Sequence, residues 1–98
     1  MDRSKIRMWE VESDGATHWF VSDSLTGVKM LHFTHLAELE SGTLEEITEE
    51  VVSAAYKELP LDKALGYTFE DGTKVILRTR DYLELLSHRH GFFATTER

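Results

Sequence analysis

The sequence predicts an α+β fold, with one domain over residues 1–98 that holds an antiparallel sheet of about four to five strands and two to three helices packed on one face. Two hairpin patterns with a helical region between them, and a further helical pattern after the second hairpin, indicate this class. A length of 98 residues with 41% hydrophobic content allows one modest core. The chain has no cysteine, which excludes disulfides and thiolate metal ligands.

The first predicted element is a β-hairpin. Trp9 and Val11 alternate with glutamates, as expected for a strand that buries one face. Residues 13–16 (Ser-Asp-Gly-Ala) have the chemistry of a tight turn, and Trp19 and Val21 continue the alternation on the return strand.

Two helices are predicted next. Residues 22–24 (Ser-Asp-Ser) supply N-cap candidates for a first helix over residues 25–40. Thr43 and Glu46 then form a capping-box pattern, in which the glutamate carboxylate reaches back to the threonine amide. This pattern predicts that a second helix begins at Leu44.

The end of the second helix has two interpretations. Its apolar spacing continues to Leu59, where Pro60 would stop a helix. The β-branched pair at residues 51–52 instead favours a short helix to about Glu50, followed by a strand over residues 52–58. We expect the second arrangement, because such a strand would give the following hairpin a partner.

The second half of the chain predicts a hairpin, a helix and a closing strand. The hairpin turns at Asp71-Gly72, Thr79 is the expected cap of the last helix, and Gly91 its expected end. Residues 92–96 have the composition of a short strand. We expect both hairpins in one antiparallel sheet, with the helix over residues 25–40 packed across it. The four strands of that sheet are expected at residues 7–12, 17–22, 66–69 and 74–78.

Four segments of the chain resemble small phage- and prophage-encoded proteins of uncharacterised function. They are residues 18–24 (HWFVSDS), 58–63 (ELPLDK), 70–72 (EDG) and 91–96 (GFFATT). The resemblance implies the order hairpin, helix, strand, hairpin, and an origin in a phage or another mobile element. It implies no activity, because that group has no catalytic signature.

The charge distribution is the feature that bears most on partners. No lysine or arginine lies between Lys29 and Lys57, and the glutamates in this gap account for six of the formal net charge of −7. A field concentrated on one side of a small domain attracts basic surfaces and repels nucleic acid. The sequence therefore predicts a docking surface for a basic protein partner. The alternative is a solvated helix start whose like charges are offset by the helix dipole.

Two histidines on the first helix suggest a different class of function. His32 and His35 are three residues apart and fall within the apolar arc of the helix, an arrangement that could supply two metal ligands. The sequence contains no third ligand at a convincing spacing. We therefore expect both to be partly buried structural residues without metal, and a metal-binding protein or enzyme that uses them is the alternative function.

A second apolar stripe lies on the flank of the same helix. Met30, Phe33 and Ala37 point away from the main apolar arc, so another element or another chain must cover them. The aromatic pair Phe92-Phe93 could do so within the monomer, and a homodimer or a target protein could do so between molecules.

These observations lead to one functional hypothesis: a non-enzymatic acidic binding protein, encoded by a phage or mobile element, that modulates or inhibits a protein partner. One form of it is an inhibitor of a host system for nucleic-acid handling or defence. No catalytic motif, cofactor motif, signal peptide or bilayer-length apolar run of ~20 residues is present, so we expect a cytoplasmic protein that binds neither membrane nor nucleic acid directly. The predicted partner-binding residues are Met30, Phe33, Glu38, Glu45, Glu46, Glu49 and Glu50.

Overall fold

The computed structural model describes residues 3–96 and confirms the α+β class. A single 3₁₀ turn at Arg3–Lys5 precedes six strands and three helices. They are β1 (Arg7–Ser13), β2 (Ala16–Ser22), α1 (Leu25–Glu38), α2 (Leu44–Ser53), β3 (Ala55–Glu58), β4 (Ala64–Thr68), β5 (Lys74–Arg78), α3 (Thr79–Leu85) and β6 (Gly91–Thr95). Within residues 3–96, none of the helices has the length and apolar character needed to cross a bilayer.

Four strands form the central sheet in the order β3-β1-β2-β6, and every neighbouring pair is antiparallel. The first hairpin lies in the middle, with Trp9 opposite Phe20 across β1 and β2. A bulge interrupts the β2–β6 ladder between Trp19 and Phe20. The two short strands β3 and β6 therefore cover the outer edges of the first hairpin.

The prediction that both hairpins share one sheet is wrong. Strands β4 and β5 pair only with each other and form a separate two-stranded sheet among the described residues. The apolar face of this hairpin is buried by stacking on the central sheet and not by joining the edge of that sheet. The second hairpin instead lays its apolar side chains on one face of the central sheet, where Leu65, Tyr67, Val75 and Leu77 pack against the buried core.

Both faces of the central sheet are covered, because successive side chains of a strand point to opposite faces. On one face Met8 and Val21 pack with Tyr82 and Leu83 of α3, beneath the second hairpin. On the other face a smaller cluster packs under α1 and α2, and consists of Trp9, Val11, Phe20 and Val28. Helices α1 and α2 thus share one face as predicted, whereas α3 lies on the opposite face.

The start of α1 agrees with the predicted cap, while both helix ends differ from the sequence prediction. The Ser24 hydroxyl accepts a hydrogen bond from the Gly27 amide at 3.0 Å. Helix α1 ends at Glu38, two residues early, and α2 continues to Ser53 rather than stopping at Glu50. Val51 is half-buried one turn after buried Ile47 and Val52 is 77% exposed, so the helical spacing prevails over the weak strand preference of the two valines. The strand predicted over 52–58 is only Ala55–Glu58, and it pairs with β1 of the first hairpin, not with the following hairpin as expected.

The predicted boundaries of the last helix need correction. Thr79 does not cap α3, because its hydroxyl donates to the Pro60 carbonyl at 2.6 Å and Arg78 occupies the cap position. Asp81 accepts a hydrogen bond from the Arg78 amide at 3.2 Å and closes the first turn. The helix ends at Leu85, and Gly91 begins β6 instead of ending the helix.

The predicted capping box of α2 is present and gives a stability prediction. The Thr43 hydroxyl accepts from the Glu46 amide at 3.2 Å, and the Glu46 carboxylate accepts from the Thr43 amide at 3.1 Å. We expect Thr43→Ala to lower the free energy of unfolding by about 1 kcal/mol, because the Glu46 amide loses the hydroxyl that accepts its hydrogen bond. Urea denaturation measures this change. Thr26→Ala, in the exposed first turn of α1, is the matched control and should change it by less than about 0.5 kcal/mol. Equal losses in the two variants would contradict the prediction.

Candidate functional site

A cleft of about 500 Å³ lies between α2 and the turn that joins β1 to β2. Five carboxylates and no basic side chain occur among the described residues that line it. The lining residues are Glu12, Ser13, Asp14, Ser41, Glu46, Glu49, Glu50, Ser53 and Ala54. The predicted acidic surface is therefore partly concave, with carboxylates on two walls.

The carboxylates of α2 have different environments. Glu46 is held by the capping box, and its two hydrogen bonds to Thr43 keep the pKa of the carboxyl below its usual value. Glu50 is only 25% exposed, and its Oε2 accepts a hydrogen bond from the Ser13 hydroxyl at 2.6 Å. Glu49 lines the cleft and is exposed to solvent. Of the three α2 carboxylates in the cleft, two are therefore held by hydrogen bonds and one is free to reorient.

Behind the cleft, three histidines cluster between α1 and the central sheet. The ring of His18 from β2 lies 5.7 Å from the ring of His32 and 5.4 Å from that of His35. All three rings lie around the buried side chain of Phe20. His35 also stacks on Phe92 of β6, with the ring centroids 4.5 Å apart. This histidine cluster (His18, His32 and His35) fills the space between helix and sheet.

His32 connects the histidine cluster to the cleft. Its side chain is completely buried; Nδ1 lies 2.7 Å from the Tyr56 hydroxyl, while Nε2 has no hydrogen-bond partner and lies 3.9 Å from Glu50 Oε2. Burial, together with the charges that His18 and His35 could carry, lowers the pKa of His32 to about 4. Burial and the nearby Glu50 carboxylate raise the pKa of Tyr56 to about 12. Both groups are neutral at pH 7.

The chemistry of this arrangement differs from that of a hydrolase. Ser13, Glu50 and His32 are adjacent, but the carboxylate lies between the hydroxyl and the imidazole, whereas nucleophilic catalysis needs the imidazole next to the hydroxyl. Among residues 3–96, no group of three or more His, Asp or Glu side chains is arranged to hold a metal ion. What the cleft offers is carboxylate oxygen, which binds cationic groups.

The predicted site residues lie in different environments. Glu46, Glu49 and Glu50 line the cleft together, while Glu45 is exposed on α2 outside it and Glu38 is exposed at the end of α1. On α1, the Met30 side chain is 67% exposed and Phe33 is half-buried. The predicted histidines also differ, since His32 is buried completely and His35 is half-buried.

The aromatic pair at the C-terminal end does not act as one cover for the α1 stripe. Phe92 stacks on His35 and contacts Phe20, on the α1 side of the sheet. Phe93 stacks on Tyr67 with ring centroids 5.1 Å apart, on the opposite side. Successive side chains of a strand point to opposite faces of the sheet. Phe92 therefore lies on the α1 face and Phe93 on the face covered by the second hairpin.

Sequence reasoning missed the wall of the cleft opposite α2 and the third histidine. Ser13 has the same strand parity as Val11, so alternation alone places it on the α2 face. His18 has the parity of Phe20 by the same rule, which puts it beneath α1.

We compared the chain with protein-family models, with curated protein sequences and with solved structures, and none of the three comparisons finds a match.

Proposed function

We propose that this protein is a non-enzymatic binding protein that docks a basic segment of a partner protein on its acidic cleft. The observation that carries the proposal is a concave surface with five carboxylates and no basic side chain among its described lining residues. Such a surface raises the local concentration of cationic groups and speeds their association. Charge complementarity of this kind gives an interface its specificity and its encounter rate.

The charges of α2 are unfavourable to one another in the free protein. Glu45 and Glu49, and likewise Glu46 and Glu50, are like-charge pairs four residues apart, and each pair costs about 0.2–0.5 kcal/mol in an isolated helix. A basic partner relieves this repulsion when it binds. The free energy gained in this way adds to the attraction between the two proteins.

An apolar contact complements the charged one in this proposal. Met30 is 67% exposed on α1, the helix that packs beside α2, and an exposed apolar side chain of this size contributes to binding through burial. Phe33, half-buried on the same helix, and Glu38 at its end would extend the contact along α1. The resemblance to phage-encoded proteins adds a biological setting, in which the partner is a host protein that the chain modulates or inhibits. A basic nucleic-acid-handling surface is the kind of partner that carboxylate arrays occupy, because such grooves attract phosphates.

The proposal predicts that reversing the charge of two α2 glutamates slows association. Affinity capture from a lysate of the producing cell supplies the partner, and surface plasmon resonance then compares wild type with Glu45→Lys/Glu49→Lys. These two residues are chosen because neither takes part in the capping box or in the bond to Ser13. We expect the association rate to fall by about tenfold at low ionic strength, and the difference to shrink as salt screens the charges.

The matched control is Glu70→Lys/Glu84→Lys, which makes the same charge change at exposed sites on the second hairpin and on α3. It should leave the association rate within about twofold of wild type. Met30→Ala should act through the dissociation rate with little dependence on salt, because an apolar anchor contributes through burial. A partner that binds both charge-reversed variants equally fast would disprove the proposed function.

A further inference from the structure

Glu50 differs from the other carboxylates of the cleft because it is partly buried and anchored. Its Oε2 accepts from the Ser13 hydroxyl, and Ser13 is itself only 5% exposed at the end of β1. Within the described part of the chain, Ser13 is the one hydrogen-bond donor to this carboxylate. A partly buried carboxylate with one neutral donor is under-compensated, because buried charges in proteins are normally paired.

The contacts of the Tyr56 hydroxyl favour one of the two neutral tautomers of His32. The Tyr56 hydroxyl lies 3.1 Å from the Val51 carbonyl, which belongs to the last turn of α2, and 2.7 Å from His32 Nδ1. A carbonyl can only accept, so both contacts are satisfied when Tyr56 donates to Val51 and His32 Nδ1–H donates to Tyr56. His32 Nε2 then carries a lone pair.

This tautomer leaves two acceptors facing each other. Nε2 of the fully buried His32 and Oε2 of Glu50 are 3.9 Å apart, and no described residue donates a hydrogen bond to Nε2. With the proton on Nδ1, His32 donates no hydrogen bond to the Oε2 of Glu50. The Glu50 side chain is 25% exposed and lines the cleft, so a cation that enters the cleft can pair with it.

We propose that the cleft is a socket for one arginine side chain of the partner, with the guanidinium paired to Glu50. The proposal rests on the proposed function and names the group that the acidic cleft receives. Carboxylates stand on two walls, with Glu12 and Asp14 on the turn and Glu46, Glu49 and Glu50 on α2. A guanidinium has five donors in a planar fork and can pair with carboxylates on both walls, whereas an ammonium is a point charge with three donors.

The first test is the protonation of His32 in the wild-type protein. Long-range ¹H–¹⁵N correlation NMR of the imidazole at pH 7 distinguishes the two neutral tautomers. We expect the Nδ1–H form for His32. The Nε2–H form would overturn the proposal, because a donor would then already face Glu50.

The second test uses a capped peptide, acetyl-Gly-Arg-Gly-amide, as the probe. Amide chemical shifts followed during a titration should change at Ser13 and Glu50 and give a dissociation constant. The citrulline peptide has the same shape without the charge, and the lysine peptide has the charge without the fork. We expect the citrulline peptide not to bind, and the lysine peptide to bind about tenfold more weakly than the arginine peptide.

Two isosteric variants locate the contact. Glu50→Gln keeps an acceptor for Ser13 and should weaken binding of the arginine peptide by about tenfold or more. Glu70→Gln removes the same charge from an exposed site on the second hairpin, and should weaken it by less than about twofold. Equal effects of the two variants, or equal binding of the arginine and lysine peptides, would overturn the socket.

The outcomes separate the socket from the function on which it rests. If the arginine peptide fails to bind while the captured partner still depends on the α2 charges, the socket is wrong and the acidic docking surface remains. If the captured partner is indifferent to the α2 charges, the proposed function and the socket fall together.

Discussion

Replacing Phe20 by alanine is expected to lower the free energy of unfolding by about 3–5 kcal/mol, which is a large part of the stability of a domain of this size. The Phe20 side chain is completely buried, and its ring lies within about 6 Å of the rings of His32, His35 and Phe92. Removing it leaves a cavity under α1 and deprives the histidine rings of their apolar neighbour. Urea denaturation followed by tryptophan fluorescence measures the loss.

Phe92→Ala is the matched control for this substitution. The same side chain is removed, but Phe92 is 46% exposed at the edge of the sheet and its main contact is the stacked ring of His35. We expect a loss of about 1 kcal/mol. If both variants lost equal stability, Phe20 would not have the central packing role that the structure gives it.

Acidification from pH 7 to pH 5 is expected to lower the free energy of unfolding by about 2 kcal/mol through His32. The pKa of His32 is about 4 in the folded protein and near its ordinary 6.5 in the unfolded chain. Between these values the unfolded chain binds the proton and the folded protein does not. The contribution is therefore complete above pH 6.5 and is lost as the pH falls towards 4.

The experiment compares the pH dependence of urea unfolding in two variants. His32→Gln should reduce the slope between pH 7 and pH 5, whatever its effect on stability at pH 7. His90→Gln, which changes an exposed histidine near Asp23, should keep the wild-type slope. An identical slope in His32→Gln would show that another group binds the proton. Keeping the pH above 5 limits the contribution of Glu46 and Asp71, whose pKa values lie below those of ordinary carboxyls.

The acidic cleft shows how far the sequence predicted the candidate site. The charge gap identified the glutamates of α2, and the capping-box pattern fixed the position of Glu46 within a helix. Neither pattern could bring Glu12 and Asp14 to the opposite wall, because their distance from α2 depends on how the helix lies on the sheet. The histidine cluster was missed for the same reason, since His18 belongs to a different element from His32 and His35.

Elements whose signals are local could be predicted from the sequence alone. The turn of the first hairpin, the Ser24 cap of α1 and the capping box of α2 each depend on residues within four positions of one another. Such interactions form whatever the rest of the chain does, so their pattern is visible in the sequence. The buried stripe of α1, including His32, follows from helical spacing alone.

The pairing of the strands and the surroundings of the glutamates depend on contacts between distant parts of the chain. The second hairpin packs as a separate layer because its apolar face is buried against the core of the central sheet, a contact between distant segments that no local pattern records. The tautomer of His32 depends on Tyr56 and Val51, and the environment of Glu50 on Ser13, residues that are brought together by packing. Long-range burial and hydrogen bonding set these features, because the free energy that fixes them is gained only when the whole fold is assembled.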